Sequence, residues 1–171
     1  RKSSAHLLAL INDVLDFSKI DAGKLELDTA TFDLEEAIFD VMDMLSPLAA
    51  QKHIDMAFYY ADNVPKHVVG DALRFKQILT NLISNAIKFT PDGEIIVRAR
   101  MEQDDIGQCL LHFSVQDSGI GLSGTDRKKL FESFSQGDAS VTRQFGGTGL
   151  GLAISKQLVH LMPVSYTHLR A

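Results

Sequence analysis

Residues 72–90 read ALRFKQILTNLISNAIKFT. Ile78, Leu79, Leu82, Ile83 and Ala86 recur at helical spacing and form an apolar face. Arg74, Gln77, Asn81, Asn85 and Lys88 lie three and four residues apart and share the opposite stripe. Asp71 stands where an N-cap belongs, and the turn residues PDG follow at 91–93. The pattern predicts an amphipathic helix ending near Phe89. Two asparagines one turn apart inside it need a reason, because the Asn amide competes for backbone hydrogen bonds. One reason is a solvated face, where each Asn costs roughly a few tenths of a kcal/mol. The other is a metal–phosphate site. A neutral amide oxygen suits Mg²⁺ when phosphates already bring negative charge, and Lys88 then meets a phosphate as a point charge.

On either side of this helix the chain mixes helices with strands. Residues 4 to about 22 carry a helical stripe of Leu8, Ile11 and Leu15, widened by Leu7, Val14 and Ile20, and Gly23 ends it. So wide a stripe calls for a packing partner. A short strand is predicted around Thr31–Asp33, then a helix to Lys52, then a strand in HIDMAFYY and a turn at NVP. GEIIVRARMEQ and CLLHFSVQD alternate as strands, with DDIG as their hairpin turn. DSGIGL, a short helix TDRKKLFESF, a polar loop from Ser135 to about Gly149 and a last helix LGLAISKQLVHLM complete the order. The fold class expected is α+β, a two-layer sandwich with helices on one face of a mixed sheet.

Composition narrows the functions. The 171 residues favour one domain with a short appendage, and 45% hydrophobic residues suffice for a core. A formal net charge of −5 argues against non-specific nucleic-acid binding, which needs a basic face. The single cysteine, Cys109, excludes an internal disulfide, lies in an apolar run as a small core residue, and makes a reducing, cytoplasmic compartment the expectation. No stretch approaches the roughly 20 apolar residues of a membrane span, and RKSSAHLL does not make a signal peptide. A membrane anchor in a longer parent chain stays open.

Two glycine-bearing turns carry chemistry. In CLLHFSVQDSGIGL, Asp117 sits where a strand ends. Asp117, Gly119 and Gly121 could be a turn whose glycines take positive φ. They could equally be an adenine site, with a buried carboxylate accepting from an exocyclic amino group and glycines letting a base lie against backbone. In RQFGGTGLGLAIS, residues 143–155, glycines crowd the start of a helix. The segment before them is polar, the spacing of Gly147, Gly149 and Gly151 differs from a dinucleotide fingerprint, and no Lys-Ser/Thr follows as in a Walker loop. A flexible linker remains, or a loop that delivers its N–H groups to phosphates at a helix N-terminus.

In this order the segments are specific. NLISNAIKFT, DSGIG, LFESF and GGTGLGL resemble the N, G1, F and G2 boxes of the sensor histidine kinase ATP-binding domain. HLLALINDVLDFSKIDAGKLEL resembles the second helix and linker of the dimerisation and phosphoacceptor hairpin, as in hybrid kinases. The resemblance covers residues 1 to about 162. It implies the Bergerat ATP-binding fold preceded by one long helix, with ATP and Mg²⁺ as ligands. It implies that Asn85 and Asn81 serve Mg²⁺ and Lys88 the phosphates. Phe89 would line the adenine pocket, and Asp117, Gly119 and Gly121 would hold the base. Phe131 and Phe134 would anchor a lid. Gly147, Gly149 and Gly151 would hinge that lid and approach the phosphates, Thr148 and Leu150 between them would help bind the nucleotide, and Arg143 would reach the γ-phosphate. The partners implied are a phosphoacceptor histidine helix of the same or a partner subunit and a receiver domain, in a homodimeric parent.

Asn81 falls where hydrolysing relatives, the mismatch-repair ATPases, gyrase and the heat-shock chaperone, carry a water-activating Glu. Slow hydrolysis and transfer to a histidine are therefore expected. Departures are visible too. No histidine has the phosphoacceptor context, His6 being expected on a bundle surface, so no catalytic residue is assigned. After KQLVHLM the tail PVSYTHLRA departs from the family pattern, so closing strands are expected to be missing. The expected divisions are 1–27 (hairpin helix and linker), 28–162 (ATP-binding domain) and 163–171 (tail). The alternatives are a self-contained ATPase of the same superfamily and a nucleotide-free interaction module that keeps the fold.

Overall fold

The computed structural model describes residues 11, 14–105, 108–121 and 149–162. Of these, residues up to 26 and 149–158 fall in one compact unit, and residues 27–121 and 159–162 in another.

The larger unit is built around helix α3, Ala72–Phe89. Its N-cap is Asp71, as the sequence predicts, and the Asp71 side chain accepts the Arg74 N–H at 3.0 Å. Strand β1, Ala30–Asp33, leads into helix α2, Leu34–Ala50, capped by Asp33 through the Glu36 N–H at 3.0 Å. That hydrogen bond, ahead of the nearby Lys66 charge, holds the Asp33 carboxyl below its ordinary value of 3.8. Pro47 inside α2 has no N–H for the Asp43 carbonyl, and Ser46 Oγ donates to that carbonyl instead, at 3.1 Å. After α2 the chain turns through Lys52 and His53 into strand β2, Ile54–Tyr60.

Strand β3, His67–Gly70, pairs antiparallel with β1, setting Ala30 opposite Gly70 and Asp33 opposite His67. Strand β4, Gly93–Asp105, pairs with β5, Gln108–Asp117, as an antiparallel hairpin, with a register shift between Met101 and Gln103. Strand β2 pairs parallel with β4, Ile54 opposite Gly93 and Tyr60 opposite Ala99. The order β2-β4-β5 makes a mixed three-stranded sheet. Helices α2 and α3 pack on each other, α2 against β2, and α3 against β4 and β5. The period of two in β4 sends Ile95, Val97 and Ala99 into the core, and Ile38 of α2 and Leu79, Ile83 and Ile87 of α3 are buried as well. Phe75 ties three elements together. Its ring lies 5.8 Å from that of Phe32 on β1 and 5.0 Å, edge to face, from that of Phe113 on β5.

In the smaller unit, α1 covers residues 14–21. Gly23 (φ +63°) ends it. Its N–H meets the Ile20 carbonyl at 2.9 Å, and the Lys24 N–H meets Lys19 at 2.8 Å, a left-handed glycine stop. Ile11, Val14 and Leu15 of the expected stripe are exposed. Helix α4 runs Gly151–Leu161, and its part in this unit, 151–158, buries Ala153, Ile154, Ser155 and Leu158.

Some expectations are corrected. Strand β3 was not predicted, because HVVG is short and does not alternate. Phe75 and Ile87 belong to the buried face of α3, whereas Leu82 is only half-buried. Asp104 and Asp105 continue β4 rather than starting a turn. The short helix TDRKKLFESF, the polar loop from Ser135 and the tail 163–171 lie outside the described residues.

Candidate functional site

Five stripe residues of α3, Arg74, Gln77, Asn81, Asn85 and Lys88, are half-buried, which disfavours a simply solvated face. They are linked along the helix. Arg74 Nη1 donates to Gln77 Oε1 at 2.7 Å, and Asn85 Nδ2 donates to Asn81 Oδ1 at 3.3 Å. Lys88 Nζ lies 4.9 Å from the centroid of the Phe89 ring. Burial holds the Lys88 ammonium below the ordinary lysine value of 10.5, because a partly desolvated cation is costly.

The turn after β5 closes onto the C-terminal end of this helix. The Ile120 N–H donates to the Phe89 carbonyl at 3.3 Å. A Cβ on Gly119 would stand 2.6 Å from the Phe89 carbonyl oxygen and 2.7 Å from Asp117 Oδ1, so only glycine fits that approach. Gly121 has φ +69°, where other residues are strained. The positive φ expected of the turn's glycines is found at Gly121, whereas Gly119 is required by its close approach to the Phe89 carbonyl. The Gly119 N–H donates to Asp117 Oδ1 at 2.9 Å, which fixes the carboxylate against its own turn. Asp117, the last residue of β5, is exposed, whereas the adenine-site reading of the sequence expects a buried carboxylate.

Two further residues shape this corner and went unread in the sequence. Ser118 pins the turn to β4: its N–H donates to the Glu94 carbonyl at 3.1 Å and its Oγ accepts the Glu94 N–H at 2.9 Å. Lys52 Nζ donates to the carbonyls of Ile87 (2.7 Å), Lys88 (2.9 Å) and Thr90 (3.3 Å). A serine inside DSGIG could have been suspected as a turn anchor. A lone lysine after a helix gives no signal of a partner 35 residues away.

Thus Asn81, Asn85, Lys88, Phe89, Asp117, Gly119 and Gly121 are carried by α3 and the turn after β5, within one unit. Gly149 (φ +69°), Leu150 and Gly151 lead α4 in the other unit; Leu150 is buried, and its carbonyl accepts the Ile154 N–H at 2.8 Å. Phe131, Phe134, Arg143, Gly147 and Thr148 lie outside the described residues. No cluster of three or more His, Cys, Asp or Glu suited to a metal occurs among the described residues, and no described helix is long and apolar enough to cross a membrane. The amide oxygens of Asn81 and Asn85 are hard, neutral donors of the kind Mg²⁺ accepts beside phosphate oxygens.

The described residues thus join a mixed sheet and its helices to an asparagine-bearing helix that meets a glycine turn. The chain belongs to the histidine kinase-, DNA gyrase B-, and HSP90-like ATPase family, which matches residues 70–168. It is 50% identical to the sensor histidine kinase GacS of Pseudomonas protegens over 161 residues, 94% of this chain and 18% of that protein. It is 45% identical to the hybrid signal transduction histidine kinase B of Dictyostelium discoideum, over 94% of this chain and 8% of that protein. The chain therefore spans less than a fifth of the curated relatives it matches. Among solved structures, full-length ShkA in complex with AMPPNP matches with a TM-score of 0.78 and 38% identity, over 94% of this chain and 32% of that one. The α+β class and the sandwich architecture expected from the sequence agree with this likeness.

Proposed function

We propose that this chain is the ATP-binding catalytic part of a protein-histidine kinase, residues 28–162, preceded by the end of a dimerisation helix at 1–27 and followed by a tail at 163–171. It binds Mg-ATP, and the γ-phosphoryl group passes to a histidine of the same or a partner subunit. The P–O bond to the β-phosphate breaks as a P–N bond to the imidazole forms, and ADP leaves. In a homodimeric parent protein, with this part in the cytoplasm whether or not the parent is anchored in a membrane, a receiver domain takes the phosphoryl group next. The observation that carries this reading is the junction of α3 with the glycine turn, where the Phe89 carbonyl accepts the Ile120 N–H and Gly119 leaves no room for a side chain. The likeness to a kinase described in complex with AMPPNP supports it.

Each residue has a role that suits its chemistry. The Asp117 carboxylate, held by the Gly119 N–H, accepts from the adenine amino group. Gly119 and Gly121 let the base lie against backbone, and Phe89 walls the pocket. Lys88, whose charge burial disfavours, gains from an anionic phosphate. Asn81 and Asn85 would hold Mg²⁺, which when bound offsets the charge of the phosphates. By the family resemblance, Phe131 and Phe134 would anchor a lid, Arg143 would reach the γ-phosphate, and Gly147, Thr148, Gly149, Leu150 and Gly151 would offer backbone N–H groups to the phosphates. Asn81 is an amide, which cannot take a proton from water, so ATP is spared hydrolysis until a histidine arrives.

Titration calorimetry with Mg-ATP tests the proposal. The wild-type chain gives a binding isotherm, and Asp117→Ala weakens it by about tenfold or more, the worth of one hydrogen bond to a charged group. A wild-type chain that produces no heat of binding would favour a nucleotide-free module instead. With γ-labelled ATP the 171-residue chain takes up no label on histidine, since none of its six histidines has the phosphoacceptor setting. Steady hydrolysis abolished by Asn85→Ala would point to a self-contained ATPase.

A further inference from the structure

We infer that Lys52 is a positioning residue for the nucleotide site, holding the C-terminal end of α3 so that Lys88 and Phe89 are presented to the ligand; this rests on the ATP-site reading above.

Four consecutive carbonyls close the helix, and each is held from outside or on its rim. Lys52 Nζ takes those of Ile87 at 2.7 Å, Lys88 at 2.9 Å and Thr90 at 3.3 Å. The glycine turn takes the fourth, Phe89, through the Ile120 N–H at 3.3 Å. The last carbonyls of any helix lack intrahelical donors and form the negative end of its dipole. A lysine ammonium has three hydrogens and no acceptor, so one compact head can serve three converging carbonyls, which a planar guanidinium cannot do from a single point. Lys52 reaches this end from the turn between α2 and β2, so its hold is independent of the helix it grips.

The geometry couples this hold to the site. Lys88 offers its carbonyl to Lys52 and its side chain to the proposed phosphate. Phe89 lies between two carbonyls held by Lys52, and its own carbonyl seats the turn that bears Asp117 and Gly119. Release of Lys52 frees three carbonyls to turn toward water. The Phe89 carbonyl then moves with them, and the Ile120 hydrogen bond is the first contact of the nucleotide turn to weaken. A general stabilising role would lower the melting temperature but leave the affinity of the remaining folded molecules unchanged.

The full chain is compared as wild type, Lys52→Met and Val41→Ala, the last removing buried volume from α2 away from the site. Mg-ADP affinity by calorimetry, thermal midpoint, and amide exchange at Ile120 without nucleotide are measured well below the midpoints. Lys52→Met is expected to raise Kd about tenfold and to speed Ile120 exchange about tenfold, while Val41→Ala lowers the midpoint and changes neither. A folded Lys52→Met variant with Kd within about twofold of wild type, or with unaltered Ile120 exchange, overturns the inference. If Lys52→Met does not fold, Lys52→Gln, which keeps two donor hydrogens, is judged by the same two readouts. A wild-type chain that binds no Mg-ADP overturns the nucleotide reading itself, and is told apart from failure of the Lys52 role by that arm alone.

Discussion

At the scale of single residues, Gly119 and Lys88 make the site testable. A methyl group at Gly119 would meet the Phe89 carbonyl oxygen at 2.6 Å and Asp117 Oδ1 at 2.7 Å. Both neighbours are fixed, one in backbone and one by its hydrogen bond, so the turn itself must move. Gly119→Ala should therefore lower stability by about 1–3 kcal/mol and remove Mg-ATP binding, seen by thermal unfolding and calorimetry. Lys88 gives a pH dependence whose sign follows from its burial. A lysine held below its ordinary 10.5 costs the folded chain stability while it is protonated, and that cost is lifted as pH rises through the lowered value toward 10.5. A bound phosphate favours the protonated form, so nucleotide affinity should fall as pH climbs through this window, with proton uptake on binding. Calorimetry in two buffers of different ionisation enthalpy measures that uptake; Lys88→Met should abolish it. These residues were legible because type and spacing spoke together. Lys52 was not, because its partners are backbone atoms that no side-chain pattern announces. The exposure of Asp117 was hidden for a related reason: the end of a strand is set by register, not by residue type.

At the scale of elements, α3 is held at both ends by a charge of the fitting sign. Asp71, only 5% exposed, divides its carboxylate between two duties: Oδ1 accepts the Arg74 N–H and Oδ2 accepts the Asp28 N–H, both at 3.0 Å. One residue thus caps the helix and ties the segment before β1 to it. Asp71→Ala removes a cap worth about 1 kcal/mol and leaves two N–H groups without their acceptor, for a total of about 2–4 kcal/mol. Asp71→Asn, which keeps one acceptor oxygen, should recover part of that loss, as urea unfolding of the two variants would measure. The cap was readable from Asp71 standing before an apolar period, but its second bond was not, since Asp28 is 43 residues away. Strand β3 escaped notice for the same reason. Its four residues gain their conformation from β1 across the pairing Phe32–Val68, not from any preference of HVVG itself.

At the scale of the molecule, the order of helices and strands was largely set by local periodicity, and the sandwich followed from it. Helix α3 and the hairpin β4–β5 were readable because each satisfies its pattern within a short stretch. The parallel neighbour of β4 was not, because parallel partners need a crossover and leave no turn signature. That pairing has a kinetic side. Among the described strands only β4 and β5 are paired neighbours in sequence; β1 waits for β3, and β2 finds β4 only after α3 lies between them. Distant pairings carry a loop-closure cost before they return any contact energy, so the hairpin should form early and β2 should add late. Val97→Ala would then mainly slow refolding and Ile54→Val mainly hasten unfolding, a contrast that stopped-flow chevrons resolve. A chain emerging from the ribosome meets the same order: β2 is made first, yet has no strand to join until β4 follows, and through that interval its edge is open to other chains.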